Sequence, residues 1–135
     1  MKKLTLLFAL FALSFIGCSP KAPYDVVPIE GTVTYDGKPI PRDFAIKFRP
    51  DNGMNESTGN IQEGGKFKAI HTVDIDGVPT GKCTIRIMWN GSLGTNAPAE
   101  YQPLLQKYGF QSEGLPLEIT KKDKNVKIDF PAVTK

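Results

Sequence analysis

The sequence predicts an all-β sandwich, two packed antiparallel sheets built from about seven short strands. Seven segments alternate apolar and polar residues with period 2, so each offers one apolar face to a core. Between them stand Asp-Gly, Gly-Gly and Pro-Asp-Asn-Gly sequences, which suit the tight turns of an antiparallel fold. No helical period of any length competes. The 135 residues suffice for one domain whose core holds without disulfides.

In chain order, Pro20, Pro23 and Pro28 make residues 18–28 a semi-extended tether. Ile29, Gly31, Val33 and Tyr35 then share one face, opposed by Glu30, Thr32 and Thr34, and Asp36-Gly37 ends the strand. Phe44, Ile46 and Phe48 alternate with Ala45, Lys47 and Arg49 before Pro50-Asp51-Asn52-Gly53. Thr58 to Gln62 and Lys66 to Ile70 flank Glu63-Gly64-Gly65 at hairpin spacing. Cys83, Ile85, Ile87 and Trp89 mark the next strand; before it Pro79 presets the approach to a turn, and Gly81 is expected where a side chain would clash. Asn90 to Gly114 is the one long irregular stretch. It holds a short helix pattern over Glu100 to Tyr108, with Pro103 near its start and Gly109 as its stop. Leu115, Leu117 and Ile119 follow, and Lys121-Lys122-Asp123-Lys124-Asn125 reads as a polar hairpin turn before Val126, Ile128 and Phe130.

Composition excludes more than it selects. With 40% hydrophobic and 23% charged residues the chain is ordinary, and a net charge of +3 does not announce a nucleic-acid partner. One His and two Cys leave little material for a metal centre or a nucleophilic site, so no catalytic residue, metal ligand or cofactor is assigned. His71 closes a strand with no nucleophile beside it in sequence. Asp74 and Asp76 supply two oxygens where Ca²⁺ takes six to eight, and a solvated turn accounts for both. Gly91-Ser92-Leu93-Gly94 lacks the spacing of a phosphate loop. Cys83, on the apolar side of its strand, is expected to be a buried, inert thiol.

The beginning of the chain is an address. Lys2 and Lys3 precede an apolar run from Leu4 to Ile16, too short for the roughly 20 residues that span a bilayer and of the length of a signal-peptide core. Ser14-Phe15-Ile16-Gly17-Cys18 resembles the lipobox of bacterial lipoproteins. The resemblance implies cleavage after Gly17, with residues 1–17 as signal peptide and Cys18 as the mature N-terminus, its thiol carrying diacylglycerol. Ser19 directly after the Cys resembles the outer-membrane sorting pattern of that class. The expected location is therefore the envelope, exported and membrane-anchored.

A second resemblance covers roughly residues 28–132. Ile29-Glu30-Gly31-Thr32-Val33-Thr34-Tyr35-Asp36-Gly37-Lys38-Pro39-Ile40 resembles the opening strand and turn of carboxypeptidase-regulatory-like domains, and Phe48-Arg49-Pro50, Gly65-Lys66-Phe67 and Gly77-Val78-Pro79-Thr80-Gly81-Lys82 continue the pattern. The family implies a transthyretin (prealbumin)-like Greek-key sandwich over residues 29–132. It also implies a non-catalytic role, as an interaction or structural module that meets an envelope protein. A carbohydrate-binding module is the alternative, with Trp89, Tyr101, Tyr108 and Phe110 of the 89–110 region stacking on envelope polysaccharide. Coplanar exposed rings would favour that alternative, and buried rings the interaction module. The sequence leaves the oligomeric state open.

Overall fold

The computed structural model describes residues 22–91 and 95–134. The signal-peptide and lipidation expectations at residues 1–17 and Cys18, and the Ser92–Gly94 part of the irregular stretch, lie outside them. Among the described residues the strands are β1 (Val26–Val27), β2 (Ile29–Tyr35), β3 (Lys38–Pro39), β4 (Phe44–Pro50), β5 (Ser57–Asn60), β6 (Lys66–Thr72), β7 (Ile75–Asp76), β8 (Val78–Pro79), β9 (Gly81–Trp89), β10 (Leu115–Ile119) and β11 (Asp123–Phe130). The helix α1 spans Gln102–Tyr108. The seven longer strands are those the alternation marks, and the four others are two-residue pairings that period 2 cannot reveal.

The longer strands form one curled, mostly antiparallel sheet in the order β10-β9-β4-β5-β6-β2-β11, rather than two separate antiparallel sheets. The bend comes at β6, which changes partner midway. Lys66, Phe67 and Lys68 pair with Thr32, Gly31 and Glu30 of β2, whereas Ala69 and Ile70 pair with Gly59 and Thr58 of β5. A strand shared in this way turns a sheet through a corner and lets its two limbs face each other.

Two expectations are corrected. First, β11 runs parallel to β2, with Ile128 opposite Val33 and Phe130 opposite Tyr35, so the sheet is not antiparallel throughout. Second, the Lys121–Asn125 segment is not a hairpin turn. β10 pairs with β9 and β11 with β2, at opposite ends of the strand order, so the segment carries the chain across from one end to the other. Asp123 already belongs to β11, whose register shifts between Asp123 and Val126. The crossing accepts polar residues because it stays exposed.

The inward faces meet in one core containing Phe44, Phe48, Phe67, Ile85, Ile87 and Phe130. Phe48 and Phe67 touch ring to ring at 5.8 Å. Burial along β6 alternates strictly, with Phe67, Ala69 and His71 inside and Lys66, Lys68 and Ile70 outside. Asp36 and Gly37 take φ of 51° and 72°, the paired left-handed geometry of a tight hairpin turn. The Asp36 N–H then donates to the Phe130 carbonyl at 3.0 Å, fastening this turn to the last strand. The clash expected at Gly81 is absent, since a side chain there would meet open space; its φ of 119° alone requires the glycine. Gly109 stops α1 for a different reason. Its backbone is extended, and any Cβ would overlap the Leu105 carbonyl.

The directions of the strands give the domain two distinct ends. The starts of β2, β5, β9 and β11 and the finishes of β4, β6 and β10 gather at one of them. At the other lie the Asp36-Gly37 turn, Trp89, and Tyr101 at the entry to α1, whose ring is 6.2 Å from that of Tyr35.

Candidate functional site

The chain before β2 docks onto the domain, so the tether drawn over residues 18–28 is engaged by Tyr24. Val26 and Val27 pair with Pro79 and Val78, and the Thr80 N–H donates to the Asp25 carbonyl at 3.0 Å. The Asp123 N–H donates to the Pro28 carbonyl at 3.0 Å. Gly77 permits the close approach: it has φ of 121°, and a Cβ there would overlap the Val27 carbonyl.

The same docking places Tyr24 on His71. β6 turns the imidazole inward, where it is only 7% exposed, with Nδ1 at 2.9 Å from Ser57 Oγ and Nε2 at 2.6 Å from Tyr24 Oη. The phenol ring meets the imidazole edge-on, with centroids 5.5 Å apart. A neutral imidazole offers one donor and one acceptor, and each hydroxyl can take the complementary role. Sequence reasoning passed over this trio, because Tyr24 and Ser57 stand far from His71 in the chain. Period 2 could have signalled only that His71 shares a face with Phe67 and Ala69.

A serine beside a histidine is the start of a nucleophilic pair, but the geometry here ties parts together. Ser57 is completely buried, and the far nitrogen meets a phenol where the familiar triad has a carboxylate. Burial lowers the His71 pKa below its usual value. The unfolded chain therefore binds a proton that the folded chain refuses, and stability falls as pH drops below about 6.5, down to the folded pKa. Thermal melts between pH 7.5 and 5.5 should show that decline, and His71→Gln should flatten it. An equally steep decline in the His71→Gln chain would assign the effect elsewhere.

The four aromatic candidates do not form a platform. Trp89 is half-buried, edge-on to Phe44 at 4.9 Å and 68°, and its Nε1 donates to the Thr95 carbonyl at 3.1 Å. Gly91 lies so close to the indole that a Cβ would overlap it. Tyr101 meets the same Phe44 ring at 5.1 Å and 59°. Tyr108 is buried against Phe130, with Lys107 Nζ 5.3 Å from its ring centre. Phe110 alone is well exposed, at 61%, and Arg86 Nη1 donates to its carbonyl at 2.9 Å. Trp89 and Tyr101 thus meet through Phe44, at steep angles, while Tyr108 and Phe110 stand apart from them.

Cys83 is buried and unpaired, and burial together with Asp51 pushes its thiol up to about 11. The reactive thiolate is therefore scarce at neutral pH. Asp76 is held by Lys68 in an ion pair, Asp74 is exposed in the turn, and no three His, Cys, Asp or Glu side chains converge among the described residues. None of the helices among them is long and apolar enough to cross a membrane. Searches against protein-family models, curated proteins and solved structures returned no match to the chain.

Proposed function

We propose that the chain is a non-catalytic lipoprotein of the bacterial envelope. It is held on a membrane through Cys18 and presents a carboxypeptidase-regulatory-like, transthyretin-like Greek-key sandwich to a protein partner. The observation that carries this reading is the Lys2-Lys3 start, the Leu4–Ile16 apolar run and Gly17-Cys18, with a β domain following within a few residues. A single acyl chain gives marginal attachment at about 0.8 kcal/mol per buried CH₂, and a Cys bearing a diacylglycerol has two. Ser19 favours the outer membrane where the cell has one.

The interaction role is supported by how the chemistry-bearing side chains are employed. His71, the one histidine, is enclosed by Ser57 and Tyr24, and Cys83 is sealed in the core. Three of the four candidate aromatics are packed against core or loop. That arrangement favours a protein partner over a sugar-stacking surface.

Cys18→Ser should move the protein from the membrane to the soluble fraction and abolish its acyl mass, with the melting temperature unchanged because Cys18 precedes the docked segment. A wild-type chain that is soluble and unacylated would sink the anchor. Cross-linking in intact cells, followed by mass spectrometry of the adducts, tests the partner. A discrete protein adduct supports the interaction module. Polysaccharide adducts lost in Tyr101→Ala and Phe110→Ala would replace it with carbohydrate binding.

A further inference from the structure

The anchor and the fold together constrain which way the domain faces. The covalent chain from Cys18 to Tyr24 spans at most about 20 Å even when fully extended. Tyr24 is fixed on His71, near the finish of β6. This is the end where β2, β5, β9 and β11 start and β4, β6 and β10 finish, so it is the end closest to the lipid.

Two features of that end suit a membrane surface. Val73, in the turn between β6 and β7, is 99% exposed, the most exposed large apolar side chain among the described residues. Lys121 and Lys122, on the crossing from β10 to β11, are exposed, and neither has a carboxylate within ion-pair distance among the described residues. Lys124 follows as the second residue of β11, equally exposed. The carboxylates at this end are partly engaged: Asp76 pairs with Lys68, and the Asp123 carboxylate accepts the Asn125 N–H at 2.8 Å. Asp51, just past β4, accepts from Thr84 Oγ1 at 3.4 Å, while Asp25, Asp74 and Glu118 stay exposed, so the lysines act among several acids.

We infer that this end is a membrane-resting face, with Val73 entering the headgroup layer and Lys121 and Lys122 lying over anionic lipid phosphates. The inference rests on the anchor proposed above and deepens it. The lysines alone would be a weak lipid ligand, but the anchor already confines them to the surface, where so few charges can set orientation. The opposite end, with Trp89, Tyr101 and the Asp36-Gly37 turn, then faces away from the bilayer and is free to meet a partner.

The test uses the full chain purified with its anchor, its Cys18 acyl mass verified, in vesicles of phosphatidylcholine and phosphatidylglycerol. Val73→Cys and Lys38→Cys chains carry an environment-sensitive fluorophore, and the unsubstituted chain measures any labelling of the buried Cys83. Spin-labelled lipid should quench the label at position 73 about threefold or more above that at position 38. Joint Lys121→Glu and Lys122→Glu substitution should remove most of that difference without changing the acyl mass. Equal quenching at both positions, or none at position 73, in an acylated chain overturns the inference and leaves the anchor standing. Absence of acyl mass on Cys18 overturns both.

Discussion

Phe48→Ala should lower the stability of the domain by about 3–5 kcal/mol, a large fraction of the roughly 5–15 kcal/mol that holds a domain of this size. The ring is completely buried on β4, between Ser57 of β5 and Ile85 of β9 in register, and it packs on Phe67 from the other limb of the curled sheet. Removing it opens a cavity where the two limbs meet, and a continuous sheet can collapse only partly to fill it. Urea unfolding of the Cys18→Ser chain measures the loss, with Val73→Ala as the reference expected within about 0.5 kcal/mol of wild type. A loss below about 1 kcal/mol for Phe48→Ala would mean that the limbs are not held through this contact.

Gly31→Val should cost about 3 kcal/mol and act on one pairing in particular. Gly31 lies opposite Val126 in the parallel β2–β11 pair, and a Cβ there would overlap the Val126 carbonyl. The obstacle is backbone, so no rotamer change relieves it. β11 must move away, and with it Ile128 and Phe130 leave the core. Amide exchange should therefore accelerate along Val126–Phe130 well before it does along β4 and β9. Uniform acceleration through the sheet would indicate global destabilisation rather than loss of one strand. Thr32→Val, on the neighbouring half-buried position, should leave exchange unchanged.

These two positions also show what the sequence could and could not reveal. Phe48 was legible as core because it alternates with Lys47 and Arg49, and alternation directly reports which face is buried. The turn at Asp36-Gly37 and the short helix ending at Gly109 were legible through local backbone chemistry. The β2–β11 pairing was not, because alternation says nothing about which strands are neighbours or in which direction they run. Gly31, a glycine inside a strand, was the available hint of a close backbone approach. The His71 trio escaped for the same reason, since Ser57 and Tyr24 reach it only through the third dimension. Trp89 was readable as core-facing, yet its sharing of the Phe44 ring with Tyr101 depends on where the long stretch after β9 returns.

The parallel pairing of β2 with β11 also shapes how the molecule comes into being. It joins the first long strand to the last, so its register depends on residues separated by nearly the whole domain. Closing so wide a loop carries an entropic cost that no local contact offsets beforehand, and folds of high contact order assemble slowly. The β4–β9 pair and the β5–β6 hairpin can form early, but the core stays unsealed until Val126–Phe130 is available. A chain of this topology is therefore expected to remain threadable through a narrow pore for as long as its C-terminal strand is still behind it. Refolding should be rate-limited by the arrival of that strand.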